Sequence, residues 1–325
     1  MTMTTEQRGD PAVAFDKVSK HYGQIKAVNE LTVQIPHGRT VAFLGPNGAG
    51  KSTSIDILLG LRKPTSGTVK VFGGSPRQAV DAGRIGVMLQ SGGLMDDVSV
   101  REFLTLITKL HPRPLGVPEL LKRANIEDIA DQKVNKLSGG QNQRVRFAVA
   151  VAGDNDLIVL DEPTTGMDVE NRQIFWDTMK AQADRGKTIL FATHYLEEAD
   201  RVADEVIVIN KGRLLAQGSA AEIKARAGFQ HISFRLPEVT QEFLLGLPGV
   251  KSIDVSGDLV RIQTAESDAT LYGVLDAGLR PTQIEVGSLG LEQAFIAITE
   301  QDNDSNRPDG WAYEAADVAV KGRVR

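Results

Sequence analysis

The stretch Gly45-Pro46-Asn47-Gly48-Ala49-Gly50-Lys51-Ser52-Thr53 follows the apolar run Thr40-Val41-Ala42-Phe43-Leu44 and precedes Ser54-Ile55-Asp56-Ile57-Leu58-Leu59, which reads as a helix. Strand, glycine-rich loop and helix, with the spacing G-x-x-x-x-G-K-S, form the sequence pattern of a phosphate-binding P-loop. The glycines let the backbone curl until successive N–H groups converge on an anion. The helix that starts near Lys51 adds the positive end of its dipole to the same point. In such a loop the lysine bridges the β- and γ-phosphates and the hydroxyl of Ser52 holds Mg²⁺. A loop that only turns a strand into a helix has the same local look, so the remainder of the chain has to decide.

Composition narrows the choice. The 325 residues, 41% hydrophobic and 24% charged, suffice for a full catalytic domain and a smaller companion. A net charge of −5 gives no global basic field for nucleic acid or an anionic membrane. The absence of cysteine excludes disulfides, thiolate metal sites and thiol catalysis. No apolar run approaches the length of a membrane span, and Met1-Thr2-Met3-Thr4-Thr5-Glu6-Gln7-Arg8 has no apolar signal core. A cytoplasmic protein is expected, with any membrane role exerted through a partner.

Read in order, residues 1–10 are polar and expected to be flexible. Strands are expected at 12–18 and 28–35, with Lys20-His21-Tyr22-Gly23 between them, and again at 68–73 and 84–90. From about 91 to 155 helical patterns replace strands, at 100–110, 118–124 and 143–152, as in a helical insertion. Strands resume at 157–160, 188–192 and 205–210, with helices around 170–184 and 196–203. Buried strands alternating with helices predict an α/β fold around a parallel sheet. A hairpin at Asn210-Lys211-Gly212-Arg213 and a helix at 221–227 close this unit. Residues 228–300 alternate as a small α+β domain: strands at 231–236, 250–255, 259–263 and 283–286, helices at 271–277 and 291–300. The stretch 301–325 is polar and expected to be disordered, with Trp311 and Tyr313 as possible anchors.

Two further stretches carry chemistry. Leu157-Ile158-Val159-Leu160-Asp161-Glu162 is an apolar strand ending in two acids. A buried parallel strand delivers such carboxylates to the sheet edge where the P-loop lies. Asp161 is then placed to hold Mg²⁺ and Glu162 to polarise an attacking water. Leu137-Ser138-Gly139-Gly140-Gln141 stands before the helical run Asn142-Gln143-Arg144-Val145-Arg146. Serine and two glycines at a helix start offer a hydroxyl and N–H donors to an anion, but they equally suit an ordinary N-cap.

The order of these stretches resembles the ATP-binding-cassette (ABC) ATPases: 45–53 as Walker A, 137–141 as the signature and 157–162 as Walker B. Tyr22 matches the adenine-stacking aromatic, Gln90 the Q-loop, Gly166-Met167-Asp168 the D-loop and His194 the switch histidine. Over 11–227 the resemblance implies a P-loop NTPase cassette with a RecA-like parallel core, an antiparallel β subdomain and a helical insertion. It further implies that two copies dimerise head to tail. Ser138, Gly139, Gly140 and Gln141, with Asp168, of one copy would meet the ATP held by Tyr22, Gln90 and residues 45–53 of the other. Mg²⁺ would be held by Ser52, Gln90 and Asp161; Lys51, Gln90, Glu162 and His194 would be catalytic. Asn142 and Met167 depart slightly from the family pattern, and Tyr195 is read as packing.

The ending Gly287-Ser288-Leu289-Gly290-Leu291-Glu292-Gln293-Ala294-Phe295 resembles the S-L-E-x-x-F segment of daunorubicin-resistance-type ATPases, with Gly290 interrupting the run. Those pair with a separate ABC-2-type membrane subunit, so the resemblance implies export of drugs, antibiotics or lipids from the inner face of the membrane, with no nucleic-acid partner. The segment 91–98, with Leu94, Met95 and Val98, is either the socket for that subunit or ordinary insertion packing. The alternatives are a soluble ABC ATPase acting on nucleic acid, ribosomes or iron–sulfur assembly, and a non-hydrolysing regulatory cassette.

Overall fold

The computed structural model describes residues 10–90, 92–226, 228–237, 239–288 and 290–305. In chain order the first half comprises β1 (Val13–Tyr22), β2 (Ile25–Ile35), β3 (Thr40–Leu44), α1 (Lys51–Leu58), β4 (Ser66–Val71), α2 (Pro76–Asp81), β5 (Ile85–Met88), α3 (Val100–Leu110), α4 (Val117–Arg123) and α5 (Gly139–Ala150). Then come β6 (Leu157–Asp161), α6 (Val169–Ala183), β7 (Thr188–Ala192), α7 (Leu196–Val202), β8 (Glu205–Asn210), β9 (Arg213–Gly218) and α8 (Ala220–Arg226). The accessory region holds β10 (Gln230–Arg235), α9 (Gln241–Leu245), β11 (Val250–Ser256), β12 (Leu259–Thr264), α10 (Ser267–Asp276) and β13 (Thr282–Ser288), and the last element is α11 (Leu291–Ser305).

The central sheet has the order β5-β6-β7-β3-β8-β9, parallel except for the β8–β9 hairpin. The five parallel strands are apolar between their ends because both faces are covered, with polar residues at the ends such as Thr40, Asp161, Thr188 and Glu205. The edge strand β9 also carries Arg213 and Gln217. In β3, Ala42 and Leu44 join the core shared with the helical insertion, while Val41 and Phe43 join the core under the antiparallel sheet β2-β1-β4. The same alternation divides β6: Ile158 and Leu160 point one way, Leu157 and Val159 the other. This period of two fixes strand register, since a one-residue slip would exchange the two cores.

An edge-to-face aromatic chain fastens the helices to this sheet. Phe147 of α5 meets Phe175 of α6 at 5.2 Å, Phe175 meets Trp176 at 5.4 Å, and Trp176 meets Phe191 of β7 at 4.9 Å. Such pairs contribute about 0.5–1.5 kcal/mol each beyond their burial.

The accessory sheet, β11-β12-β10-β13, is antiparallel and has its own core of Ile232, Phe234, Leu244, Val260, Ile262 and Val274. Several expectations shift here. The helix foreseen at 291–300 runs to Ser305 and does not close the accessory core. Leu291 is buried in the main core, Phe295 and Ile298 pack against it, and α11 lies on α7 and α8. The S-L-E-x-x-F resemblance thus falls on the segment that returns the chain to the cassette body. The helices α2 and α9 were not foreseen: each is short, and each is started by a local cap, at Ser75 and Thr240. Trp311 and Tyr313 lie outside the described residues.

Candidate active site

The parallel order places the C-terminal ends of β5, β6, β7 and β3 side by side, and these ends deliver Gln90, Asp161 with Glu162, His194 and the glycine loop to one edge. After β3, Gly48 and Gly50 take φ of 79° and 103°. A Cβ at Gly50 would lie 2.3 Å from the Ala27 carbonyl oxygen, so only glycine fits there. The turn after β8 buttresses the loop from behind, with Gly212 N–H donating to the Ala49 carbonyl at 2.9 Å. Residues 46–48 face solvent, and the first-turn N–H groups of α1 have no partner within the helix. The Lys51 ammonium donates to the Gly45 carbonyl at 2.6 Å and the Pro46 carbonyl at 3.3 Å, so it is held inside the loop. Burial lowers its pKa, and Glu162 and Asp161 pull it back up.

Asp161 is the last residue of β6, where the expected strand stopped at Leu160. Burial raises its carboxyl pKa, the adjacent Glu162 adds to the rise, and the Ser52 hydroxyl, donating at 3.4 Å, opposes it. This set of a carboxylate and a hydroxyl, both hard oxygen donors, with the Glu162 carboxylate adjacent, fits a Mg²⁺ ion. Glu162 takes φ 52°, uncommon for a non-glycine residue, and its N–H is held by the Ala192 carbonyl at 2.9 Å. That backbone turns its carboxylate toward His194, whose Nδ1 lies 2.6 Å from Glu162 Oε2.

Tyr22 sits at the end of β1 and not in a loop between strands, because β1 and β2 pair all the way to Tyr22 and Ile25. Its ring is 41% exposed, with the Lys20 and Arg62 cations 5.3 and 5.7 Å from its centroid, so it is not a core residue. Gln90 follows β5 on the surface, where the Arg146 guanidinium of α5 donates to the carbonyls of Leu89 and Gln90.

The signature is not a loop ahead of a helix. Ser138 is the N-cap of α5 in a capping box with Gln141, and Gly139 to Gln141 form its first turn. Gly140 packs on Asn171, and a Cβ there would lie 2.8 Å from Asn171 Cγ. Asn171 in turn donates to Asp168, the N-cap of α6, from its N–H at 2.8 Å and its side chain at 2.9 Å. These bonds hold the Asp168 carboxyl below its ordinary pKa. Val169, beside it, is 83% exposed. Among the described residues, no hydrogen bond joins 138–141 to the glycine loop of the same chain.

The ABC transporter family profile matches residues 28–165. A Nod factor export ATP-binding protein I of Paraburkholderia xenovorans is 39% identical over 223 residues, covering 66% of this chain and 73% of that protein. The daunorubicin resistance ATP-binding protein DrrA3 of Streptomyces coeruleorubidus is 33% identical over 310 residues, covering 90% and 97% of the two chains. The chain belongs to the ABC transporter ATP-binding proteins. These relatives fit the transporter reading and not the soluble alternative. A solved dimeric ATP-binding cassette in a post-hydrolysis state, bound to ADP and Pi, is 27% identical, with a TM-score of 0.57 over 64% of this chain and 98% of that one. A solved ATP-binding subunit of an ABC transporter gives 26%, a TM-score of 0.59, and 67% and 93% coverage. The protein is an ATP-binding ABC ATPase.

Within this cassette several supporting residues escaped sequence reasoning. Arg146 also bonds Gln143 at 3.1 Å, and Gln143 bonds the Thr165 carbonyl at 3.1 Å, so α5 ties the segment after β5 to the one after β6. Tyr195, read as packing, does pack, but against the His194 ring at 4.0 Å. Met167, a departure from the family pattern, is simply buried in the main core. No local pattern flags the contacts of Arg146 with Leu89 and Gln90 or of Gln143 with Thr165, since those partners are distant in sequence.

Proposed function

We propose that the cassette hydrolyses ATP at two composite sites of a head-to-tail pair of copies and thereby drives export through a separate integral-membrane permease. The observation that carries this reading is the Glu162–His194 pair, 2.6 Å apart, while Ser138 bonds within its own capping box and its helix start packs through Gly140 on Asn171, the partner of Asp168. One copy therefore supplies a cradle and a base. A second copy supplies the serine–glycine helix start.

In this reading residues 45–53 bind the phosphates through backbone N–H groups and Lys51, and Tyr22 stacks on the adenine. Ser138, Gly139, Gly140, Gln141 and Asp168 of the other copy close over the γ-phosphate. Ser52, Gln90 and Asp161 would hold Mg²⁺, which supplies charge neutralisation at the phosphates when bound. Glu162 accepts a proton from the attacking water while His194 orients that carboxylate and the γ-phosphate. Little covalent chemistry is asked of the protein, so positioning and preorganised charge supply most of the rate.

The relatives act in Nod factor export and daunorubicin resistance by name, which supports a drug, antibiotic or lipid as cargo here. The export relatives support a translocation path on the partner, with this chain at the inner membrane face. Among the described residues no helix is long and apolar enough to cross a membrane. Met95, 48% exposed while Leu94 and Val98 pack inward, is the candidate contact for that partner. Glu162→Gln tests the reading: turnover should fall at least ~100-fold, with ATP binding kept and a stable dimer formed. Wild-type turnover in that variant removes Glu162 as the base. Co-purification with an integral-membrane protein tests the export role.

A further inference from the structure

Glu198, in the first turn of α7, is a charged residue with only 3% of its surface exposed, and the mechanism above gives it no task. A buried carboxylate is costly unless its oxygens are partnered. Its partners come from three different segments of the site. The Thr164 hydroxyl, just after Glu162, donates to Oε2 at 3.0 Å, and the Thr193 hydroxyl, just before His194, donates to it at 3.3 Å. Arg172 of α6 places Nε 3.3 Å from Oε1, an ion pair without a hydrogen bond. The same guanidinium lies 4.3 Å from the centroid of the Tyr195 ring, which lies against the His194 ring. Thr193 also accepts the Tyr195 N–H at 3.0 Å. The contacts close a circuit from Glu162 through His194, Tyr195, Arg172 and Glu198 back to Thr164.

The His194 side chain needs such support. It is 54% exposed, and one hydrogen bond to Glu162 does not by itself hold a solvent-facing imidazole in one rotamer. The Tyr195 ring, tilted 37° against it at 4.0 Å, limits its freedom further, and the Arg172 cation lies over that ring. Arg172 also belongs to the turn of α6 that begins at Asp168, its N–H donating to the Asp168 carbonyl at 3.0 Å.

We propose that Glu198, Arg172 and Tyr195 are positioning residues for hydrolysis: they hold His194 against Glu162 and couple that pair to the helix start carrying Asp168. The proposal rests on the reading of Glu162 and His194 as the reacting pair.

The test is steady-state ATP hydrolysis by the full chain, with kcat and KM separated. Tyr195→Leu removes the ring from a half-exposed position and should lower kcat about tenfold, with KM for ATP within about twofold. Tyr195→Phe keeps the ring and should restore kcat to within about twofold of wild type. Glu198→Gln, which keeps the side-chain volume, should lower kcat in the same way. In a His194→Ala background Tyr195→Leu should cost nothing more, because the residue acts through His194. Wild-type kcat in Tyr195→Leu, or an equal loss with and without His194, overturns the proposal and leaves the active-site reading intact. Wild-type turnover in His194→Ala overturns that reading, and this proposal with it.

Discussion

At the scale of the residue, the site is a set of charges held where they cost stability. Asp161 is buried beside Glu162, so its folded-state pKa is raised by burial first and by the neighbouring charge second. The sign follows from linkage: a carboxyl with a raised folded pKa destabilises the fold above that pKa, and the cost disappears as pH falls through it toward about 3.9, the unfolded value. Asp161→Asn should therefore raise the melting temperature of the nucleotide-free protein at neutral pH, by roughly 2–4 °C per kcal/mol relieved. That gain should shrink as the scan is moved to acid pH, while ATP turnover is lost at every pH; a pH series by calorimetry checks it. Lys51 carries the same cost of burial, with its pKa lowered. Its ammonium already sits on the Gly45 and Pro46 carbonyls, so Lys51→Ala should leave the fold in place and weaken ATP binding at least ~10-fold in a fluorescent-nucleotide titration.

At the scale of the element, two helix starts set the geometry of the half-site proposed to act across copies. Ser138 caps α5 and Asp168 caps α6, and Gly140 against Asn171 is the contact between them. Gly140→Ala should displace Asn171, weaken the Asp168 cap by about 1 kcal/mol and reduce turnover more than it reduces stability. Paired melting and ATPase measurements separate the two. The last helix offers a different test. Leu291 is buried in the main core and Phe295 packs on it, so Leu291→Ala should cost about 2–5 kcal/mol in urea unfolding of the cassette. A helix belonging only to the accessory unit would leave the cassette's unfolding midpoint unchanged.

At the scale of the whole molecule, the proposed head-to-tail pairing would make each copy half of each site. A chain carrying Lys51→Ala has a damaged cradle and an intact signature; one carrying Ser138→Arg has the reverse. Each alone should be nearly inactive. Mixed and re-equilibrated, they should regain turnover, up to about a quarter of the wild-type value, because half of the pairs are mixed and each of these holds one intact composite site. Mixtures as inactive as their parents would show that the signature does not act across copies. The accessory sheet, with its own core and no part in this geometry, should tolerate surface changes without effect on complementation.

The sequence by itself determined which chemistry the chain can do and in what order its parts lie. Short-range patterns carry that information: the spacing of Gly45, Gly50 and Lys51, and the apolar runs of the central strands, one of them ending at Asp161 and Glu162. Strand ends were misjudged by a residue or a few, at Tyr22 and Asp161, because pairing partners and not propensity set where a strand stops. Only the tertiary structure decided what holds the reactive groups still. The Glu198 carboxylate meets Thr164, Thr193 and Arg172 because β6, β7 and α6 are brought together by packing, and α11 returns to α7 and α8 because Leu291 and Phe295 find the main core there. Contacts between distant segments leave no local periodicity to read. The P-loop announces a bound phosphate, but the residues that complete and steady its site are chosen by the fold.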